Sequence, residues 1–165
     1  MTSPSLYIID ANILIDLYRG GILPEAFHLS VKLAAPDMVI VELKEPDDQL
    51  LIRYGLQSVT LSGAQLQEVI ELRTRYRGVS ANDLSALVLA RALQTTLLTG
   101  DRHLRQAANR EGVIVHGTLW LLDEMVHQRA VTPLRAAEAL KQMLKRGRRL
   151  PQEECSARLR KWERR

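Results

Sequence analysis

Four acidic residues stand where a carboxylate could do more than meet solvent. Asp10 closes the apolar run LYII, and Asp101 follows a second apolar run in LLTGDRHL. Glu42 lies in MVIVELKE, and Asp83 in VSANDLSALVLARAL. Carboxylates brought together from such distant positions repel one another unless a proton or a cation sits between them, and hard oxygen donors select Mg²⁺ or Mn²⁺. An ion so held polarises a substrate oxygen and activates water, which makes a side-chain nucleophile unnecessary. The chain offers none: it has no Ser-His-Asp or Cys-His constellation. Its four histidines, His28, His103, His116 and His127, lack metal-binding spacing, and His103, the one nearest an acid in sequence, reads as a surface residue. The single cysteine, Cys155, excludes an internal disulfide framework and a cysteine-based zinc site, fits a reducing cytoplasm, and is expected to pack in a C-terminal helix.

The elements that must position these acids alternate. Leu6 to Ile9 read as a buried strand and Ala11 to Tyr18 as a helix stopped by Gly20-Gly21. Pro36 can open a helix and Pro46 must end one, which predicts a helix over Asp37 to Glu45. A strand is expected over Gln57 to Leu61, then a helix from Ser62 to about Arg77, and another from Ser80 to about Leu93. Thr96 to Leu98 and Val113 to Val115 read as strands, Arg102 to Arg110 and Thr118 to Gln128 as helices. Strands separated by helices of this length imply a parallel α/β sheet. Ligands of such sheets bind just outside the carboxyl ends of the strands, which is where Asp10 and Asp101 would lie.

Each acid also has a plainer reading. Asp10 and Asp101 both precede helices and would serve as N-caps, worth about 1 kcal/mol each. Asp83 follows Ser80 in a capping-box spacing. Glu42 sits near Glu45, Asp47 and Asp48 in what would be a solvated acidic face.

At 165 residues and 46% hydrophobic, the chain suits a compact core, and the N-terminal stretch has neither a basic region nor a long apolar run. No segment approaches the ~20 apolar residues that span a bilayer, so a soluble, cytoplasmic protein is expected. The net charge of +4 is uneven: residues 141–165 hold ten Lys or Arg against three acids, so the rest is mildly acidic. Thr132-Pro133 opens a helix that Gly147 closes, a basic turn follows, and Pro151 starts a last helix with Leu159 and Trp162 on one side. Residues 1–130 thus read as an α/β domain and 131–165 as a basic helical extension.

The series Asp10, Glu42, Asp83 and Asp101 resembles the PIN-domain family of metal-dependent ribonucleases in order, spacing and local setting, over about residues 6 to 125. The resemblance implies a three-layer α/β fold with a central parallel sheet. It implies that these four residues hold Mg²⁺ or Mn²⁺ for hydrolysis of RNA phosphodiesters, with Asn12 and Thr99 as polar supports. Asn12 fits the family's Asp-Ser/Thr-Asn opening, with Ala11 in place of the hydroxyl residue. Small proteins of this family include toxins of toxin–antitoxin pairs, which adds an antitoxin protein and a homodimer to the expected partners, beside RNA. Arg102 and Arg105, next to Asp101, and Arg148 and Arg149, in the basic turn, are the candidate RNA contacts. Two other classes remain: a PIN-like module that binds RNA or protein without cleaving, and a phosphotransferase of the haloacid dehalogenase type. The second lacks its usual acid two residues after the first, where Asn12 stands, and has no further Asp after Asp101 in GDRHLRQ.

Overall fold

A strand buried on both faces sends alternate side chains into two separate cores, and the first strand does so. In the computed structural model, which describes residues 5–164, Ile8 packs into one core and Ile9 into the other. The chain runs β1 (Leu6–Ile9), α1 (Ala11–Arg19), α2 (Leu23–Ala26), β2 (Lys32–Pro36), α3 (Asp37–Glu42), α4 (Asp48–Tyr54), β3 (Gln57–Val59) and α5 (Gly63–Arg75). It continues through α6 (Ala81–Ala92), β4 (Leu97–Leu98), α7 (Arg102–Arg110), β5 (Val115–His116), α8 (Thr118–His127), α9 (Pro133–Lys145) and α10 (Gln152–Trp162). The five described strands form one parallel sheet in the order β3-β2-β1-β4-β5.

Helices cover both faces. Ile9, Leu33, Ala35 and Leu98 pack against apolar residues of α1, α2, α8, α9 and α10, while Ile8, Ala34 and Leu97 pack against α5, α6 and α7. The strand order reverses between β1 and β4, and the crevice at the carboxyl ends of those two strands is where an α/β sheet binds its ligand. Among the described residues no helix is long and apolar enough to cross a membrane.

The sequence reading differs from the structure in specific places. The strand β2 was not foreseen, because Lys-Leu-Ala-Ala-Pro carries little β-branched character and ends in proline. Small residues suit this position, since Ala34 and Ala35 are fully buried between neighbouring strands with helices above and below. Helix α3 ends at Glu42 rather than Glu45: Leu43 turns extended, and a residue before proline, as Glu45 is, avoids helical geometry. Helix α4 was also missed; Asp47, taken for part of an acidic surface, caps it by accepting from the Leu50 amide at 2.8 Å. Helix α5 stops at Arg75 instead of Arg77, and its Ser62–Gln65 capping box is complete.

The C-terminal helices are built into the domain rather than trailing from it. Ala136, Leu140 and Met143 of α9 and Cys155 and Trp162 of α10 join the core that contains α1 and α8. The turn between α9 and α10 is tied down by Arg148. Its Nε donates to buried Asp16 of α1, its Nη2 donates to the Asn12 carbonyl at 3.3 Å, and the Thr118 hydroxyl donates to the other Asp16 oxygen at 2.6 Å. Removing one member of a buried ion pair leaves the other uncompensated, which costs more than replacing both. Arg148→Met is therefore expected to lower unfolding free energy by roughly 3 kcal/mol, and Asp16→Asn/Arg148→Met to recover most of that loss. Urea unfolding of both variants checks this; equal losses would make the pair incidental to stability.

Candidate active site

The β1–β4 register sets Ile9 beside Leu98, so the residues that follow, Asp10 and Thr99, leave the sheet together at its switch point. Asp10 caps α1: one carboxylate oxygen accepts from the Asn12 amide, the other from the Thr99 hydroxyl. Thr99 is fully buried, and its oxygen also accepts from the Asp101 amide at 3.1 Å, so one hydroxyl joins both acids. Asp101 in turn caps α7 through the Leu104 amide at 2.8 Å. Asp83 enters from the first turn of α6, where Ser80 caps its amide. Glu42, the last residue of α3, is exposed and accepts from the Asn82 side-chain amide at 2.6 Å.

The capping readings are thus correct for Asp10 and Asp101, and they do not compete with the site reading. A cap points its carboxylate back along the helix start, and all of these helix starts lie at one edge of the sheet. Burial pushes the Asp10 carboxyl up to about 6, against the opposing pull of its Thr99 and Asn12 hydrogen bonds, and the charges of Asp83 and Asp101 push the same way. Asp83 is raised for the same leading reason, burial, with Asp101 and Glu42 adding repulsion. The four acids therefore feel one another as a group.

A donor set of four mutually repelling carboxylates fits a hard divalent cation and fits no soft one. Asp10, Glu42, Asp83 and Asp101 are the residues that would hold it. Among the described residues, no three acidic, histidine or cysteine side chains stand close enough to enclose one ion as they are placed. Of the supports expected from sequence, Thr99 acts through its hydroxyl, whereas Asn12 acts through its backbone, donating to Asp10 and accepting from Arg148.

Beside Asp101 and Asn12 opens a cleft of about 690 Å³, walled by the start of α7, the β5–α8 junction and the basic turn before α10. Arg102, Arg105, Arg148 and Arg149 all line it. Arg148 is spent largely on Asp16, while Arg102, Arg105 and Arg149 make no ion pair among the described residues. Sequence reasoning missed Asn82, Asp16, His116 and Trp120 here. Asn82 adjoined a candidate acid and was read only as part of a helix opening; the other three carry no local signal, since only tertiary packing brings them to the cleft.

A family model described as a PIN domain matches residues 6–164. The chain belongs to the PIN-domain family. No curated protein matches it in sequence. The PIN-domain match runs through α9 and α10, in keeping with their place in the core, and membership removes the haloacid dehalogenase alternative.

The raised Asp10 carboxyl gives a pH dependence with a definite sign. Its folded value of about 6 lies above the unfolded 3.8, so between these values the native state binds the extra proton and stability falls as pH rises. Without divalent ions, Asp10→Asn should be more stable than the parent at pH 8 by up to about 3 kcal/mol, and this advantage should vanish below pH 4. Thermal unfolding in a chelator across that range measures it; a variant less stable at every pH would show that Asp10 serves the fold alone.

Proposed function

We propose that the protein is a divalent-metal-dependent endoribonuclease acting on RNA phosphodiesters. The observation that supports this reading is the Thr99 bridge between Asp10 and Asp101 at the switch point of a PIN-domain sheet, with the charge of Asp83 felt by Asp10 and that of Glu42 felt by Asp83. A Mg²⁺ or Mn²⁺ ion bound there supplies Lewis acidity to the phosphodiester and lowers the pKa of an attacking water.

The chain's own residues divide the remaining work. Thr99 and the Asn12 amide fix the direction of the Asp10 carboxylate, so its charge is aimed before substrate arrives. Asn82 holds Glu42, whose exposed position at the end of α3 otherwise leaves its side chain unrestrained. Burial around Asp10 keeps solvent from screening the site's charge. Arg102 and Arg105, on the first turns of the helix that Asp101 caps, line the adjoining cleft and would neutralise phosphates of a bound strand. An acidic cluster alone repels RNA, and these arginines supply the opposing charge.

Millimolar Mn²⁺ is expected to raise the melting temperature, as any ligand selective for the native state must, and Asp10→Asn to abolish that increment. Asp83→Asn and Asp101→Asn should each lower cleavage of a single-stranded RNA by about 100-fold or more, beyond the usual effect of losing an outer support, while melting within a few degrees of the parent. Cleavage assays with Mn²⁺ and with chelator, paired with melting curves, measure both. If the two residues served only as helix-start residues, the substitutions would trim stability and leave cleavage intact. RNA binding without cleavage at any divalent-ion concentration would instead mark a non-catalytic PIN module.

A further inference from the structure

The cleft beside Asp101 contains an aromatic arrangement that metal-ion chemistry does not use. His116 ends β5, and Trp120 lies one turn into α8; their rings stack in parallel, with centroids 4.0 Å apart and planes within 8°. Tyr7 backs Trp120 at 6.0 Å, so the imidazole rests on a platform anchored in β1. Both His116 and Trp120 line the cleft, and its volume of about 690 Å³ falls in the range that holds a nucleotide-sized ligand.

The charges around this platform are arranged unevenly. Arg148 and Arg158 are matched by Asp16 and Asp123, whereas Arg105 and Arg149 have no carboxylate partner among the described residues. Arg105 lies against the β5–α8 junction: a Cβ built on Gly117 would come within 3.2 Å of its Nη1. Burial first, and then the charge of Arg105, hold the His116 imidazole below its usual value against the opposing pull of Glu124, which favours the neutral ring. A neutral, pre-stacked ring in a cleft shared with two guanidinium groups that lack ion pairs among the described residues suits a planar group carried on a polyanion. An acidic peptide offers a planar group only where an aromatic side chain happens to fall, whereas every nucleotide of a single strand carries a flat base beside a phosphate.

We propose that this cleft is a base-stacking subsite for single-stranded RNA, in which a nucleobase lies on His116 and the adjoining phosphates meet Arg105 and Arg149. The proposal rests on the ribonuclease reading only for the identity of the polymer; the platform itself is independent of the acids. Because the cleft borders Asp101 and Asn12, the stacked nucleotide neighbours the one whose phosphate faces the carboxylates. Stacking is tolerant of base identity, so the subsite fixes where along a strand the backbone enters more than which base it carries.

Binding of a short fluorescent oligoadenylate to the full chain, followed by anisotropy in a chelator, tests this without cleavage. An abasic oligomer of equal length should bind about tenfold more weakly, and His116→Ala should bring oligoadenylate down to the abasic level. His116→Phe, which keeps a flat ring, should restore binding. Arg105→Gln and Arg149→Gln should each flatten the salt dependence by roughly 0.7 in slope. The Mn²⁺-induced rise in melting temperature should be unchanged in His116→Ala, which also reports that the variant is folded. Equal binding of the abasic and base-bearing oligomers, or His116→Ala binding like the parent, overturns the subsite. Base-dependent binding in a protein that cleaves no RNA overturns the ribonuclease reading alone, and cleavage with binding indifferent to His116 overturns the subsite alone.

Discussion

The site depends on the register of one strand pair. Because Ile8 sits beside Leu97 and Ile9 beside Leu98, the chain leaves the sheet with Asp10 next to Thr99, and a buried hydroxyl reaches both the Asp10 carboxylate and the Asp101 amide. A slip of one residue would turn every β4 side chain to the other face and place Leu98 where Thr99 now stands. The register is held in turn by the two cores, since Ile8 with Leu97 and Ile9 with Leu98 must each find their own layer of helices. The geometry of the site is a by-product of sorting apolar side chains to the correct face.

The same constraint explains why capping and site roles coincide. A parallel strand followed by a helix needs an N-cap at its carboxyl end, and aspartate is among the best residues for it. When β1 and β4 are neighbours, their caps become neighbours, and capping brings charges together that cannot all be relieved by backbone amides. Asp10 shows the strain: two hydrogen bonds draw its carboxyl down, yet burial and the nearby acids leave it at about 6. The helix-start contribution, about 1 kcal/mol, is smaller than the cost of burying that charge, roughly 3 kcal/mol, so capping alone does not account for an aspartate at this position. Asparagine would cap as well without the charge.

What the sequence disclosed follows the range of the interactions involved. Asp10 and Asp101 were legible because an apolar run ending in an acid is a local pattern with a general consequence in α/β sheets. The alternation of strands and helices was legible for the same reason. The strand β2 was not, because its fitness comes from being enclosed: Ala34 and Ala35 are weak strand formers that suit a crowded interior. The Asp16–Arg148 pair and the His116–Trp120 stack were not, because their partners meet only in the folded chain or were hidden in an ordinary helical turn. A count of charges placed a surplus of seven in residues 141–165, yet folding commits Arg148 and Arg158 to Asp16 and Asp123, which lie outside that segment. Net charge therefore overstates what that segment offers to a polyanion.

This redistribution gives the C-terminal helices their place in the molecule. Cys155 and Trp162 fasten α10 to the core, and Arg148 fastens the preceding turn to α1 only six residues beyond Asp10. With the turn held, Arg149 lines the same cleft as Arg105, although these residues are far apart in sequence. The turn brings positive charge to the cleft that Asp101 also lines, and of its arginines Arg148 is paired with Asp16. Ion pairing at Arg148 thus leaves Arg149 with no ion pair among the described residues, and the turn and α10 complete a cleft that the start of α7 and the β5–α8 junction also wall.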